Sequence, residues 1–222
     1  MPLVYATWNP GTEEELWPTL FAIHGHGANG QDLLGLAPYL AGGRLQVICP
    51  EAEFVLQPGM LSYTWFDRGP DGDRSAEEFE RVSGLVGEFI DEASEAHRVD
   101  PERRAILGFS QGGSLAYRLG LGDPSSFAGL AALSTWLPDE VVEQAETVRP
   151  GDFSVLVQHG SEDPLVNVER GRASRDRLIA MGVTPEYHEY RMQHEIGAES
   201  LRDLSAWLER VLKLPPPEAP TA

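Results

Sequence analysis

The segment 108–112, Gly-Phe-Ser-Gln-Gly, constrains the fold of this chain more than any other segment. It has the form G-x-S-x-G, and it lies between the short apolar run 105–107 and the helical pattern 114–119. A serine at such a strand-to-helix turn adopts a strained backbone conformation that directs its hydroxyl outward. Side chains two positions before and after the serine would keep helix and strand apart, and glycine at both positions removes that obstruction. The pattern therefore predicts that Ser110 is a nucleophile at this turn, which we call the elbow (residues 108–112).

Apolar runs and helical patterns alternate along the rest of the chain. Five runs are short and mostly uninterrupted, which is typical of strands covered on both faces. They span residues 19–23, 45–48, 105–107, 127–133 and 154–157. The clearest helical pattern between them begins at Ser75, with a capping box completed by Glu78. Repeated strand–helix–strand units predict an α/β fold with a mostly parallel central sheet, right-handed crossovers and helices on both faces.

The length of the chain predicts one domain, because 222 residues of which 41% are apolar can fill one core. Segment 3–8 is expected to pair at a sheet edge, and 186–190 is expected to form the last strand before a helix from about 195 to 214. Three prolines at 215–217 then end that helix. We expect one α/β domain over 1–214 and a disordered tail over 215–222.

The charge of the chain restricts its partners. Its 35 acidic residues against 17 Lys and Arg give a net charge of −18, which disfavours phosphate backbones and anionic lipid headgroups. We therefore expect no nucleic-acid partner and no stable membrane association. Without a secretion signal or a membrane-length apolar run, a cytoplasmic location is expected. The single cysteine, Cys49, excludes an internal disulfide.

A serine nucleophile needs a base within hydrogen-bond reach and an acid that orients the base. In a sheet with this type of elbow the chain order is Ser, then Asp or Glu, then His. Two histidines, His188 and His194, follow a plausible acid. His188 lies inside a strand pattern, whereas His194 lies in a short loop at the edge where the carboxyl ends of the strands meet. His194 is therefore the predicted base.

The predicted acid lies in the loop 158–164, which follows the strand pattern 154–157. Asp163 is the preferred carboxylate, and Glu162 is its close competitor. A different interpretation is that Asp163 caps a helix that starts after Pro164, since Asp before Pro is a common helix start. The two roles are compatible, and the position of the loop favours catalysis.

Ester hydrolysis also needs two donors at the position where the carbonyl oxygen becomes negative. The backbone amide of Gln111, directly after the nucleophile, is one, and the glycine-rich loop 23–30 should supply the other. His24 and His26 in that loop are also similar to a pair of metal-ligating imidazoles. A metal hydrolase would need further ligands on later strands, so we predict no metal.

Six motifs occur in an order that resembles the phospholipase/carboxylesterase family of α/β-hydrolases, which includes the acyl-protein thioesterases. They are IHGHG (23–27), TWFD (64–67), GFSQGG (108–113), LSTWLP (133–138), HGSEDPLV (159–166) and HE (194–195). The resemblance runs from about residue 19 to 212. It implies Ser110, Asp163 and His194 as a catalytic triad, with the amides of His26 and Gln111 as oxyanion donors.

The resemblance also implies that Trp65, Trp136 and Leu165 lie near an acyl pocket, although ordinary core packing is an alternative for each. The chain departs from the family pattern at His26, where an apolar residue is more usual, and at Gln193, where glycine is commoner.

The predicted function is a serine carboxylesterase that hydrolyses short- to medium-chain acyl esters through an acyl-enzyme intermediate, without a cofactor. An acyl-protein thioesterase or a lysophospholipase is the alternative, and a non-catalytic acyl binder is a remote one. The expected partner is a small-molecule acyl ester, and a homodimer is left open.

Overall fold

The computed structural model describes residues 2–11, 15–67, 74–144 and 153–216, and these residues form a seven-stranded sheet and a separate two-stranded hairpin. The strands are β1 (Tyr5–Trp8), β2 (Trp17–Ile23), β3 (Gln46–Pro50), β4 (Phe54–Val55), β5 (Tyr63–Thr64), β6 (Val99–Phe109), β7 (Gly129–Leu133), β8 (Ser154–Gly160) and β9 (Glu186–Tyr190). The order in the large sheet is β1-β3-β2-β6-β7-β8-β9, and β4 pairs with β5.

All neighbouring strands of the large sheet are parallel except β1, which pairs antiparallel with β3. The prediction of a mostly parallel sheet with an N-terminal edge strand is therefore confirmed. The carboxyl ends of β2, β6, β7 and β8 consequently meet at one edge of the sheet, together with the carboxyl end of β9.

Helices cover both faces of this sheet. They are α1 (Gly30–Leu34), α2 (Ala76–Ala96), α3 (Gln111–Gly122), α4 (Asp139–Gln144), α5 (Val168–Ala180) and α6 (Ala198–Val211). Alternate residues of β2 enter two different apolar clusters, Phe21 with α2 and α3, and Leu20 with α1 and α6. This alternation is the period of two that a strand buried on both faces must have. In the described part of the chain, we find no helix with the length and apolarity to cross a bilayer.

The cap of one helix and the bounds of another differ from the sequence predictions. The Ser75 hydroxyl accepts the amide of Glu78 as expected, but the Glu78 carboxylate binds Arg81 instead of completing a capping box. The last helix covers Ala198–Val211 rather than 195–214, because the backbone turns at Glu195 and takes a positive φ at Lys213. Residues 217–222 of the predicted tail lie outside the described residues.

Candidate active site

The elbow carries Ser110 between the end of β6 and the start of α3. Its backbone has φ 52 and ψ −117, so the predicted strained conformation is confirmed. Neighbouring groups hold it there: the Ser110 amide donates to the carbonyl of Leu133 at 2.9 Å, and its carbonyl accepts the hydroxyl of Thr135 at 2.7 Å. A strained residue of this kind persists only where its surroundings fix it from several sides.

The two elbow glycines are required by close backbone contacts. A Cβ on Gly108 would lie 2.2 Å from the carbonyl oxygen of Gly112, and one on Gly112 would lie 2.2 Å from that of Ile23. Gly25 is also close to Ser110, since its Cβ would lie 3.2 Å from Cβ of Ser110. The glycine-rich loop after β2 therefore contacts the elbow directly.

Asp163 and His194 meet at the carboxyl ends of β8 and β9. Nδ1 of His194 donates to Oδ2 of Asp163 at 2.7 Å, and the Asp163 side chain is 0% exposed against 13% for His194. Oδ1 accepts the amides of Leu165 and Val166 at 2.9 and 2.8 Å. Burial alone raises the pKa of the Asp163 carboxyl, but the hydrogen bonds from His194 and the two amides hold the pKa below its ordinary value. The carboxylate is therefore ionised at neutral pH.

Glu162 and His188, the alternatives to Asp163 and His194, are paired with other residues. Glu162 accepts a hydrogen bond from the exposed guanidinium of Arg191 at 2.9 Å. The imidazole of His188 contacts its strand neighbour Glu186 at 3.1 Å. The helix-cap interpretation of Asp163 is wrong, because the side chain of Asn167 caps α5.

The His194 ring packs against Phe109, the residue before Ser110, with ring centroids 4.8 Å apart. This contact places the imidazole beside the elbow. Because its Nδ1–H donates to Asp163, the neutral ring carries its lone pair on Nε2. Sequence reasoning gave Phe109 no role, although its place before the serine in G-x-S-x-G makes it a neighbour of any base at the elbow.

The β4–β5 hairpin and the residue after it form hydrogen bonds with both the loop after β2 and the elbow. The amide of Gly27 donates to the carbonyl of Tyr63 at 2.8 Å, and the amide of Tyr63 donates to the carbonyl of Ala28 at 3.0 Å. The side-chain oxygen of Gln111 accepts the amide of Trp65 at 2.9 Å. The hairpin thus fixes the two segments that the predicted oxyanion donors occupy.

The predicted oxyanion donors lie on these two segments. Gln111 is the first residue of α3, and amides in the first turn of a helix have no intrahelical acceptor. His26 lies in the loop between Gly25 and Gly27 with an exposed side chain, and Gly27 has a positive φ of 84. The role of both amides in stabilising an oxyanion stays a prediction.

His24 is buried and both its ring nitrogens are engaged. Nδ1 donates to the carbonyl of Gly25 at 2.8 Å, and Nε2 accepts the amide of Ala52 at 3.1 Å. Burial lowers the pKa of His24, which favours the neutral ring. His24 therefore has no nitrogen left for a metal. Within residues 2–11, 15–67, 74–144 and 153–216, we find no group of three or more His, Cys, Asp or Glu side chains placed to hold a metal ion.

A cavity of about 290 Å³ opens beside His194. Its apolar lining comes from α1, from the segment after it, from the elbow and from the segment before α6: Leu33, Leu36, Phe109 and Ile196. Gly25 and Ala28 of the loop after β2 complete one side. His194 forms part of the wall of this cavity.

The three predicted acyl-pocket residues do not line this cavity. Trp65 is 1% exposed and donates its ring N–H to the carbonyl of His24, so it packs beneath the loop. Trp136 is half-buried, and the guanidinium of Arg170 lies 4.2 Å above its ring. Leu165 is 74% exposed. Their contact with an acyl group stays a prediction, and the burial of Trp65 favours a packing role.

The strand order, the covered parallel sheet and the serine elbow place the chain in the α/β-hydrolase class. Residues 11–212 match the model of the phospholipase/carboxylesterase family, and the chain belongs to that family. The acyl-protein thioesterase 1 of Mycosarcoma maydis is 30% identical, with 92% of this chain and 95% of that protein covered. Relatives in this family are serine esterases and thioesterases, and the protein is accordingly a serine hydrolase.

Solved structures show the same fold. A carboxylesterase from Mesorhizobium loti has a TM-score of 0.79 at 20% identity, covering 94% of this chain and 95% of that one. The Bacillus cereus carboxylesterase has a TM-score of 0.78 at 20% identity, covering 94% of both chains.

Proposed function

We propose that the protein is a serine carboxylesterase that hydrolyses short- to medium-chain acyl esters through Ser110, His194 and Asp163. The observation that carries this proposal is the 2.7 Å hydrogen bond from His194 to Asp163, with the imidazole packed on Phe109 at the elbow. That arrangement gives a base with a free Nε2 lone pair next to a strained serine, which is what nucleophilic attack by a hydroxyl requires.

Acylation begins when Oγ of Ser110 attacks the ester carbonyl carbon and Nε2 of His194 takes the hydroxyl proton. The carbonyl oxygen becomes negative and accepts hydrogen bonds from the amides of His26 and Gln111. When the tetrahedral intermediate collapses, the bond to the alcohol oxygen breaks, and that oxygen takes the proton from His194. The alcohol leaves and the acyl group remains on Ser110.

Deacylation repeats these steps with water as the nucleophile. Nε2 of His194 takes a proton from the water, the water oxygen bonds to the acyl carbon, and the proton passes to Oγ of Ser110 as the acid leaves. Asp163 keeps its negative charge throughout, because its hydrogen bonds hold its pKa below the ordinary value. The carboxylate orients Nδ1–H of His194 and stabilises the ring while it is charged.

The size of the site supports a small substrate. The cavity of about 290 Å³ beside His194 lies just below the usual range for small-molecule sites, and Leu33, Leu36, Phe109 and Ile196 give it an apolar side. The net charge of −18 disfavours anionic lipid surfaces. Uncharged esters of short or medium chain length fit both observations.

Thioester hydrolysis is the second candidate, and the relatives support it. Relatives from four species that are 26–31% identical to this chain are named acyl-protein thioesterase 1. A thioester presents the same acyl carbon to Ser110 and differs in its leaving group. Matched oxygen and sulfur esters of one acyl chain, compared by kcat/KM, would distinguish the two candidates.

A fluorophosphonate probe tests the proposed nucleophile. We expect the wild-type protein to be labelled covalently, and we expect Ser110→Ala to abolish both labelling and most hydrolysis of p-nitrophenyl butyrate. His194→Ala should lose nearly as much activity, whereas the matched control His188→Ala should keep it. Labelling of Ser110→Ala, or loss of activity in His188→Ala alone, would contradict the assignment.

A further inference from the structure

His159 is a fully buried histidine that the proposed mechanism does not use. It is the second-last residue of β8, and its side chain is 0% exposed. Its Nε2 lies 2.8 Å from the carbonyl oxygen of Val166 and 3.6 Å from Oδ2 of Asp163. The ring therefore lies directly behind the carboxylate that binds His194.

The hydrogen-bond partner of the His159 ring shows which nitrogen carries a hydrogen. A carbonyl oxygen can only accept, so Nε2 carries a hydrogen and donates it to Val166. Nδ1 is buried and has no hydrogen-bond partner among the described residues. It faces α5, where a Cβ added to Gly171 would lie 2.6 Å away. Because α5 closes on one side of the ring, the imidazole has no room to move away from Val166.

The Val166 carbonyl belongs to the turn that holds the acid. In this turn, residues 163–166, Oδ1 of Asp163 accepts the amides of Leu165 and Val166. His159 binds Val166 from the opposite side, through its carbonyl, and so ties the turn to the end of β8. With Oδ1 and the turn both fixed, Oδ2 is left directed at Nδ1 of His194.

We infer that His159 is a positioning residue, whose N–H holds the turn 163–166 so that Asp163 keeps its hydrogen bond to His194. This inference rests on the proposed function, because orienting the acid matters only if His194 is the base. The residue acts through Asp163 and does not contact the substrate.

Two replacements of His159 separate positioning from packing. His159→Leu fills the buried space without a donor, whereas His159→Gln places an N–H close to the position of Nε2. Misplacement of a catalytic group by about 1 Å costs on the order of a hundredfold in rate. We expect His159→Leu to lower kcat for p-nitrophenyl butyrate by roughly ten- to a hundredfold with KM nearly unchanged, and His159→Gln to restore most of the loss.

Two variants far from His159, His97→Leu and Gly84→Ala, serve as controls, and Gly171→Ala is a second test of the ring position. His97, which contacts Tyr5 at the other end of the sheet, should tolerate His97→Leu without a change in kcat. Gly171→Ala pushes on the ring of His159 without removing its donor and should lower kcat, while Gly84→Ala in α2, with open space around it, should not. Gly171→Ala therefore tests the inference even if His159→Leu fails to fold.

Proton NMR adds a direct readout. The downfield N–H proton shared by His194 and Asp163 should be observed in the wild type and in His159→Gln, and should be lost or shifted in His159→Leu. A folded His159→Leu variant with wild-type kcat and an unchanged downfield proton would overturn the inference. If the wild type is still labelled by the fluorophosphonate probe at Ser110, that result leaves the proposed function intact. Labelling of Ser110→Ala would instead refute the proposed function itself.

Discussion

The two oxygens of Asp163 have different partners, so Asp163→Asn is a sharp test of the acid. Asn has the same shape as Asp but only one side-chain carbonyl oxygen. That oxygen can accept either the two amides of Leu165 and Val166 or the N–H of His194, but not both. If that oxygen stays on the amides of Leu165 and Val166, two hydrogen bonds are kept, whereas turning it toward His194 leaves both amides without an acceptor. The side-chain NH₂ of the variant therefore faces Nδ1 of His194.

An NH₂ group at that position can only donate, so Nδ1 of His194 has to accept and the ring proton moves to Nε2. A ring protonated on Nε2 cannot take the proton of Ser110. Loss of the correct tautomer in a Ser-His-Asp arrangement lowers kcat about 10⁴-fold. At about 1.36 kcal/mol per tenfold change, this is roughly 5.4 kcal/mol of transition-state stabilisation.

The assay is steady-state hydrolysis of p-nitrophenyl butyrate, with Glu162→Gln as the matched control. Glu162 is exposed and paired with Arg191, so its amide variant should keep nearly full activity. A folded Asp163→Asn variant with more than about a tenth of the wild-type kcat would refute the reasoning about the tautomer. An equal loss in both variants would show that the loop, and not one carboxylate, is required.

A second prediction for Asp163→Asn concerns how the free energy of unfolding depends on pH. The pKa of Asp163 is lower in the folded protein than its ordinary value, so its contribution to the free energy of unfolding is present above that value. The contribution is lost as the pH falls through the lowered pKa. Asp163→Asn should therefore be less stable than the wild type at pH 7, and the difference should shrink below about pH 4. Urea unfolding at pH 7 and pH 3 measures it, and a difference that does not change with pH would contradict the assigned shift.

Two further predictions concern the acyl group and the surface. Trp136→Ala should open space and raise kcat/KM roughly tenfold for an acyl chain two carbons longer, at ~0.8 kcal/mol per buried methylene. The p-nitrophenyl acetate-to-octanoate series measures this. Arg170→Gln controls for the cation above the ring, and an unchanged profile would assign Trp136 to packing. The Arg172 guanidinium lowers the pKa of Glu189 to about 2, so Glu189→Gln should reduce the free energy of unfolding at pH 7 and progressively less below about pH 4.5. Urea unfolding of the wild type and Glu189→Gln between pH 7 and below about pH 4.5 checks this prediction. A difference in the free energy of unfolding that does not change with pH would count against the Arg172–Glu189 ion pair.

The elbow and the sheet could be predicted from the sequence because local rules determine them. The glycines at 108 and 112 are required by contacts as short as 2.2 Å with backbone atoms, which no side chain could tolerate. The strands β2, β3 and β7 are buried along their whole length, which makes their apolar runs nearly uninterrupted. Asp163 and His194 could be paired because each follows a strand, and the carboxyl ends of parallel strands share one edge.

The residues that line the cavity beside His194 could not be predicted in the same way, because they depend on contacts between side chains that are far apart in the sequence. Nothing near Trp65 in the sequence shows that its ring N–H binds the carbonyl of His24. The cap of α5 was also not found from the sequence, which offered Asp163 as an alternative cap, whereas Asn167 caps the helix. The helix starts at Val168, five residues after Asp163, and the side chain of Asn167 accepts the amide of Glu169.

The backbone explains why the Asp163 and His194 loops meet reliably. The amide of Ser161 donates to the carbonyl of Tyr190 at 2.8 Å, and the amide of Glu162 donates to that of Met192 at 3.1 Å. A Cβ on Gly160 would lie 2.3 Å from the carbonyl oxygen of Gln193, so the two loops are in backbone contact. Gln193 contributes its main chain here while its side chain is exposed, which is why glutamine can stand where the family usually has glycine. Main-chain contacts between the loops that follow β8 and β9 thus bring Asp163 and His194 together, and the His159 side chain acts on the turn 163–166 within that frame.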